Sequence, residues 1–350
     1  MQVWITLIAT LAVMALLYGV IVLMQRITSQ RWLRRPLAPG QRVEVGEGSL
    51  YVTLRGEGSP TVLIETASGN LSLEWWPLQD RLASSMGVVT YDRGGMGWSD
   101  PGVNPRSSAQ INRELESLLQ ALALNPPFLL VGHSIGGLYL QHFARLHPEW
   151  VVGMVLVDPL TVENRKFDRL QTRSYPSSPE SKVAQLRRLR SFAGRGLMQL
   201  LRRKLQNSGQ WEPLRKLPEP LQHAIFAHYC LTKDYDATID ELQHLYESIT
   251  QVRSSGPVPD IPVVLIHHHP ETYKRELTSY GLNQEEAARV EAIWEETHRT
   301  LLKDFPRGEW IQAARSSHSD IHLQEPEIIA EAILSLCRKN ASASHPEPAS

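Results

Sequence analysis

The stretch PFLLVGHSIGG, residues 127–137, is the most informative part of the chain, because its character changes in the middle. It begins as the apolar run of a buried strand and continues from about Ile135 as a helix. Between these two elements lies the pattern Gly132-x-Ser134-x-Gly136. Small residues two positions before and after the serine allow a sharp strand-to-helix turn, which presents the hydroxyl at the carboxyl end of the strand.

On both sides of this turn, strand-like runs alternate with helical segments. The strand-like runs are residues 50–54, 61–65, 87–91, 128–131, 151–157, 262–267 and 309–313. The helical segments are residues 75–85, 107–124, 135–147, 287–304 and 325–338. Continuous apolar strands separated by helices predict an α/β fold, in which a parallel sheet is covered on both faces. We expect the first strand to be antiparallel.

Two further segments carry a resemblance to a known family. ETASGN, residues 65–70, follows the strand-like run 61–65, and YDRGGMGWSDPG, residues 91–102, follows the next run, 87–91. Together with the serine turn, they resemble loops of the α/β-hydrolase-fold serine hydrolases, which include esterases and lipases. The resemblance covers roughly residues 42–337 and implies a mostly parallel sheet flanked by helices, with a helical cap insertion. We expect Asp92 and Arg93 to brace loops.

The resemblance implies a catalytic base for the serine. A serine hydroxyl is a weak nucleophile at neutral pH and needs an adjacent base. In this family the acid and then the histidine follow the serine along the chain. Ser317-His318 resembles the family's Ser-Gly-His pattern, so His318 is assigned as the base of Ser134, with His322 as the alternative. His133 is expected to point away from the nucleophile.

The acid is harder to assign. The family usually carries it after the strand that follows the cap, where PVVLIHHHPE offers only Glu271. One strand earlier, VLVDP supplies Asp158 directly after a buried strand, at the edge where sites of such sheets assemble. Asp158 is therefore the chosen acid, Glu271 is second and Asp320 is third.

Two backbone N–H groups are expected to stabilise the oxyanion of the reaction. The N–H of Ile135 lies at the start of the helix that follows the serine, where the helix dipole favours negative charge. The resemblance places the second N–H in Ser68. Many family members have His-Gly where this chain has Thr66-Ala67.

Three consecutive histidines and two cysteines could suggest a metal site or a disulfide, but their spacing supports neither. Strand alternation predicts His267 and His269 on one face and His268 on the other, so a metal would need a third ligand from elsewhere. We interpret these histidines as loop or pocket lining and expect no metal and no cofactor. Cys230 and Cys337 match neither a disulfide scaffold nor a zinc spacing.

The N-terminal segment predicts a membrane anchor. Residues 3–24 contain no charged side chain and would span about 33 Å as a helix, enough for a hydrocarbon core of about 30 Å. A cleaved secretory signal would carry positive charge before the apolar run. Here the charges follow it, at Arg26, Arg31, Arg34 and Arg35. We therefore expect a retained single-pass anchor with a cytoplasmic catalytic domain.

The chain is expected to divide at its composition changes. The predicted segments are the anchor 1–25, a linker 26–40, the first half of the hydrolase core 41–160, a helical cap 161–260, the second half of the core 261–338 and a disordered tail 339–350. The length is ample for a sizeable core.

Charge is unevenly distributed along the chain. The net charge is −1, which gives no footprint for nucleic acid, and 42% hydrophobic with 21% charged residues is ordinary globular composition. Residues 161–216, however, contain 14 Lys or Arg against 4 Asp or Glu. This basic segment is either a lid face that rests on anionic lipid or a solvated helix face.

Together these features predict a membrane-anchored serine hydrolase of a carboxylic ester, with lipophilic acyl esters among the candidates. Serine at position 134 argues against the epoxide hydrolases and dehalogenases of this fold, which use aspartate there. Amidase, peptidase and acyltransferase activities stay open, because a fold does not determine its substrate. The rival of another class is a non-catalytic binding protein on the same scaffold.

Overall fold

The computed structural model describes residues 1–33, 40–170 and 178–344. Its centre is an eight-stranded sheet in the order β1-β2-β4-β3-β5-β6-β7-β8. The strands are β1 Gln41–Glu44, β2 Ser49–Arg55, β3 Thr61–Glu65, β4 Val88–Tyr91, β5 Phe128–His133, β6 Val151–Val157, β7 Val263–His267 and β8 Gly308–Gln312. Strand β2 runs antiparallel to β1 and β4, and the pairs from β4 to β8 are parallel.

The described helices surround this sheet and fill the insertion. They are α1 Gln2–Leu33, α2 Trp76–Leu82, α3 Ser108–Ala121, α4 Ile135–Leu146, α5 Pro179–Gly194, α6 Met198–Gln206, α7 Glu219–Tyr229, α8 Thr232–Gln243, α9 Leu245–Ser254, α10 Pro270–Ser279, α11 Gln284–Lys303, α12 Ile321–Gln324 and α13 Pro326–Ser344. The arrangement confirms the predicted α/β-hydrolase fold. The elements without a predicted counterpart include β1 and α10, which are largely polar and bury few side chains.

The side chains of β5 alternate between two apolar cores. Phe128 and Leu130 pack with α3, α4 and α11, whereas Leu129 and Val131 pack with α2 and α13. The strand is buried on both faces, which explains why its sequence is continuously apolar.

The described chain between β6 and β7 forms helices α5 to α8, where the cap is predicted, and helix α9, which packs on α3 and α4. The apolar core of the cap includes Met198, Trp211 and Phe226 and continues onto Trp76 of the sheet domain. The cap is therefore packed on the sheet domain through apolar side chains as well as joined to it by the chain.

Helix α1 is longer than the predicted anchor. It continues without a break to Leu33, whereas a linker is predicted from residue 26; residues 34–39 of that linker lie outside the described residues. The extension is helical because it packs on the cap, where Gln25 hydrogen-bonds to Ala193 and Met198. By length and composition, α1 is the one described helix that could cross a membrane, and a signal sequence passes the same test.

The carboxyl end also differs from its prediction. Helix α13 continues to Ser344, so the disordered tail predicted at 339–350 begins within a helix. Asn340 hydrogen-bonds to the carbonyl of Val152 and holds this part of the helix on the sheet. Residues 345–350 lie outside the described residues.

Candidate active site

The turn between β5 and α4 is as sharp as its glycines suggest. Ser134 has φ 54° and ψ −122°, a conformation that non-glycine residues rarely adopt. A Cβ added to Gly132 would lie 2.6 Å from the Cα of Gly137. A Cβ added to Gly136 would lie 2.5 Å from the carbonyl oxygen of Thr66. Only glycine lets the start of α4 approach both β5 and the end of β3 this closely.

Hydrogen bonds join this turn to the end of β6. The Ser134 N–H donates to the Val157 carbonyl at 3.1 Å, and the Ser134 carbonyl accepts from the Leu160 N–H at 2.8 Å. The segment between these two partners contains Asp158. The backbone therefore holds Ser134 and Asp158 at neighbouring strand ends.

Asp158 is hydrogen-bonded to the predicted base. It directly follows β6 with φ 45°, is fully buried, and its Oδ2 accepts a bond from Nδ1 of His318 at 2.5 Å. His318 lies in the loop after β8, and its side chain is 22% exposed. When Nδ1 carries the proton, Nε2 is left as an acceptor. This is the tautomer that a general base for a serine needs.

The alternative base and acids lie elsewhere. His322 is buried, stacks on Trp75 with ring centroids 4.8 Å apart, and has Nε2 3.5 Å from Oε2 of Glu74. Glu271 is exposed and pairs with Lys274 of its own helix. The structure thus brings neither of these two candidates to the Asp158–His318 pair.

The third acid candidate, Asp320, serves its own loop. Its Oδ1 accepts a hydrogen bond from the Ser317 N–H at 2.7 Å. Burial raises the pKa of the Asp320 carboxyl to about 6. The side chain therefore shapes the loop that carries His318.

His133 bonds to the loop that carries the predicted base. Its Nε2–H donates to the backbone carbonyl of His318 at 2.8 Å, and its ring packs near Trp75 and His322. Burial, with the neighbouring His322 and His318 rings, holds the pKa of His133 well below its usual range. The ring is neutral and ties the His318 loop to the serine turn.

Behind Asp158 lies a buried group that the sequence did not predict. Nδ1 of His268 lies 2.8 Å from Oδ2 of Asp158, and its Nε2 lies 2.5 Å from Oε2 of Glu291 on α11. Both ring nitrogens face carboxylates, so both carry protons. Burial disfavours this charged ring, but Asp158 and Glu291 outweigh burial and raise the pKa of His268 to about 9.

His267 completes the same group. The Nε2–H of His298 donates to the Pro159 carbonyl at 2.8 Å, so its Nδ1 is an acceptor, and burial lowers the pKa of His298 to about 3. His267 faces that Nδ1 at 2.9 Å and Oε1 of Glu291 at 3.2 Å. It therefore donates from both nitrogens, and its carboxylate partners raise its pKa although burial opposes the charge.

This arrangement corrects the predicted faces of the three consecutive histidines. Strand β7 ends at His267, so alternation does not continue, and His267 and His268 both reach Glu291. His269 instead caps α10 by accepting the Thr272 N–H at 3.3 Å. Glu291 and His298 are seven residues apart on one face of α11, beside apolar side chains, and that spacing is the sequence signal for them.

The flanking imidazolium groups determine the charge of Asp158. Burial alone would raise the pKa of this carboxyl, but charged His268 and the hydrogen bonds from the histidines hold it well below its usual range. Asp158 is therefore ionised where it contacts His318.

Some of these atoms could also bind a metal ion. Three overlapping sets of donor atoms lie within 4.8 Å of one another: Asp158 with His267 and His298, Asp158 with His268 and His318, and His267 with His268 and Glu291. Such donors suit zinc. The hydrogen bonds described above account for the ring nitrogens of His267 and His268 without an ion.

On the other side of Ser134 lie the predicted oxyanion groups. Ile135 is the first residue of α4, and the N–H groups at a helix start have no acceptor within the helix. Ser68 lies in the loop after β3, which packs against the start of α4 through Thr66. Both groups therefore lie on segments adjoining the serine turn.

Arg93 braces this loop, as expected. It is fully buried and donates to the carbonyls of Thr66 at 2.8 Å and Ala67 at 3.1 Å. It also pairs with Glu65 at 2.5 Å and with Glu241 of the cap at 2.7 Å. The guanidinium thus joins the loop after β3 to α8.

A cavity between the cap and the sheet domain adjoins the site. Its lining includes the apolar residues Leu160, Phe167, Leu242, Leu245 and Trp294, together with Lys182. The ring of Trp294 lies 4.7 Å from that of His318, centroid to centroid. Trp294 therefore connects the cavity with the predicted base.

The comparisons with known proteins agree with this architecture. The alpha/beta hydrolase family model matches residues 58–332. The uncharacterized protein YqjL of Bacillus subtilis is 25% identical over 279 residues, which cover 80% of this chain and 84% of YqjL. The putative carbamate hydrolase RutD of Azorhizobium caulinodans is 30% identical over 113 residues, which cover 32% of this chain and 42% of RutD.

Solved structures with the same fold include hydrolases. A probable hydrolytic enzyme of Pseudomonas aeruginosa PAO1 superposes with a TM-score of 0.61 at 18% identity, covering 86% of this chain and 94% of that one. The enol-lactonase of Burkholderia xenovorans LB400 superposes with a TM-score of 0.57 at 16% identity, covering 85% and 100%. At these identities the likeness shows the fold.

Proposed function

The chain belongs to the alpha/beta hydrolase family, and on that basis we propose that it is a serine hydrolase, which cleaves a carboxylic ester through an acyl-enzyme at Ser134. The observation that carries the proposal is the 2.5 Å hydrogen bond between ionised Asp158 and Nδ1 of His318. It lies at the strand edge that holds the strained serine.

The proposed reaction uses three side chains. The Ser134 hydroxyl attacks the ester carbonyl while Nε2 of His318 takes its proton. His318 then gives this proton to the leaving alcohol, and Asp158 stabilises the imidazolium that forms in between. In the second half, His318 takes a proton from the water that attacks the acyl-enzyme, and it gives this proton to Oγ of Ser134 as the acid is released, which restores the serine hydroxyl.

The oxyanion of each tetrahedral intermediate would be bound by the backbone N–H groups of Ile135 and Ser68. Preorganised donors of this kind commonly contribute about 3 kcal/mol each to transition-state stabilisation. The contacts of Arg93 with the Thr66 and Ala67 carbonyls support a rigid loop at this position. Arg93 is a positioning residue in this proposal.

The cavity beside His318 favours a lipophilic ester. Six of its eight described lining residues are apolar, whereas Asn164 is polar and Lys182 is charged. An acyl chain or an apolar alcohol would bury its surface there, at about 25 cal/mol per Å². A small hydrophilic ester would gain little from this lining.

We include in the proposal that α1 is a retained anchor with the catalytic domain on the cytoplasmic side. Trp32 stacks on His223 of the cap at 4.6 Å, and Gln25 bonds to the cap backbone. Removal of α1 as a signal peptide would expose these cap surfaces. Protease digestion of sealed vesicles tests the orientation: a domain digested only from the outer face would reverse it.

A fluorophosphonate probe tests the nucleophile. The wild-type chain should be labelled and the Ser134→Ala variant should not, while both keep the same melting temperature. Equal labelling of the two would reject the assignment. A chain-length series of nitrophenyl esters then tests the substrate class, since a lipophilic pocket should favour longer acyl groups; activity on anilides alone would indicate an amidase.

A further inference from the structure

The last turns of α1 fix the position of the cap beside it. One face of this part of the helix is covered by the cap, at Val22, Gln25, Ser29 and Trp32. Gln25 makes two bonds there: its Nε2 donates to the Ala193 carbonyl at 3.1 Å, and its Oε1 accepts from the Met198 N–H at 2.8 Å. The two partners flank the turn between α5 and α6, so this turn is held against α1.

The contact lies at the level where the apolar run of α1 ends. The turn residue Gly196 lies against Val22, and the hydroxyl of Tyr18 donates to the Arg195 carbonyl at 2.9 Å. The first charge after the apolar run is Arg26. Charge is costly in hydrocarbon, so the inner boundary of the hydrocarbon lies near Arg26. Val22 is only about 6 Å before it along the helix.

The surface next to this contact is apolar and exposed. Phe192 is 39% exposed and Leu200 is 59% exposed, and they lie four residues before and after Gly196. They are the exposed large apolar side chains among the described cap residues. Nothing in the described protein covers them, whereas Met198 between them is buried.

Cationic side chains surround this apolar pair. Residues 181–211 contain 8 Lys or Arg and no Asp or Glu. Arg195, Arg203 and Lys204 are exposed on α6 and the preceding turn. Exposed apolar residues next to Lys and Arg, on a short amphipathic segment, are typical of surfaces that lie in an anionic lipid interface.

We propose that this surface, the cap tip, inserts Phe192 and Leu200 into the leaflet that α1 enters, while Arg195, Arg203 and Lys204 bind anionic lipid headgroups. The inference rests on the part of the proposed function in which α1 spans a membrane. Helix α5 joins the tip to the candidate site, since its first turn lines the cavity and its last turns carry Phe192. The cap over the cavity is thereby held at the membrane surface both by its contact with α1 and by the inserted cap tip.

Nitroxide labels test the insertion in the full chain. A cysteine replaces Phe192 or Leu200 in a Cys337→Ser background, and the protein is placed in vesicles of phosphatidylcholine and phosphatidylglycerol. Labels at both positions should collide several-fold more with oxygen than with a water-soluble nickel chelate. Leu146→Cys is the matched control, because Leu146 is 42% exposed on the sheet domain and its label should prefer nickel. Nickel preference at all three positions would overturn the proposal.

Charge reversal tests the headgroup contact. The Arg203→Glu, Lys204→Glu pair should reduce the oxygen preference at position 192 several-fold, whereas Arg113→Glu with Lys303→Glu, on the sheet domain, should not. Equal effects of the two pairs, or equal insertion without phosphatidylglycerol, would reject the anionic contact.

Two further readouts separate this inference from the proposed function. If fluorophosphonate labelling is unchanged but the nitroxide labels on the cap tip are in water, only the insertion of the tip is rejected. If alkaline carbonate extracts the wild-type protein from vesicles, α1 does not span the membrane. The proposed insertion of the cap tip is then rejected as well.

Discussion

Two groups of histidines adjoin the serine turn and differ in their partners. His267, His268 and His318 lie around two carboxylates, whereas His133 and His322 pack with each other and with Trp75. Both groups are largely buried. Burial holds the pKa of His133 well below its usual range, but the carboxylates raise that of His268 to about 9.

The difference teaches that the partner carboxylate, and not burial or closeness in sequence to the nucleophile, determines the role of each ring. His133 is next to Ser134 along the chain, yet its ring is neutral and bonds to a backbone carbonyl. His318 comes from a distant loop and has the acid partner that a base requires. The following predictions test this contrast, beginning with the largest effect.

Removing the acid-bound ring should abolish catalysis. His318→Ala should lower kcat by about 10⁶-fold, since loss of the base in a serine triad costs nearly as much as loss of the whole triad. Hydrolysis of a nitrophenyl ester measures this, with folding checked by circular dichroism. Substantial activity in His318→Ala together with an inactive His322→Ala would reverse the assignment of the base.

Neutralising the shared acid should cost somewhat less. Asp158→Asn removes the acceptor that fixes the His318 tautomer and should lower kcat by about 10⁴-fold. Glu271→Gln is the control, because Glu271 is exposed and pairs with Lys274. If Glu271→Gln were the inactive variant, the acid would be misassigned.

The charged ring of His268, which lies between Asp158 and Glu291, should make the stability of the protein depend on pH. His268 has a folded-state pKa of about 9, above its usual value, so its contribution is fully present below about pH 6.5 and is lost as pH rises through 9. The loss is on the order of 3 kcal/mol. Glu291→Gln removes one of the two carboxylates that face His268 and should therefore reduce this loss of stability.

Urea unfolding at the two ends of this pH range measures the effect. Glu285→Gln is the control, since Glu285 is an exposed residue in the first turn of the same helix α11. Identical pH dependence in wild type, Glu291→Gln and Glu285→Gln would show that His268 does not titrate as proposed.

The smallest effect is expected at His322, which stacks on Trp75 and whose Nε2 lies 3.5 Å from Oε2 of Glu74. His322→Phe keeps a flat ring on Trp75 and should change kcat less than about tenfold and stability by less than about 1.5 kcal/mol. Thermal melting and ester hydrolysis measure both. A large loss of activity with unchanged melting would show that His322 takes part in the chemistry.

Much of the fold was predictable because its signals are local. The runs 61–65 and 151–157 coincide with β3 and β6, since strands buried on both faces must be continuously apolar. The glycine pattern around Ser134 predicted the turn because only glycine fits where an added Cβ would lie 2.6 Å from the facing backbone. The end of α1 was missed, because the contacts that extend it to Leu33 come from the cap.

The chain alone thus indicates the strands, the serine turn, the apolar run of α1 and the order of the candidate triad, since each depends on neighbouring residues or on a family pattern. The partners of His267 and His268 depend on long-range packing, because Glu291 and His298 reach them from a helix more than twenty residues further along. The charges of these rings follow from that packing, because a buried histidine ring is neutral beside a backbone carbonyl and charged between two carboxylates.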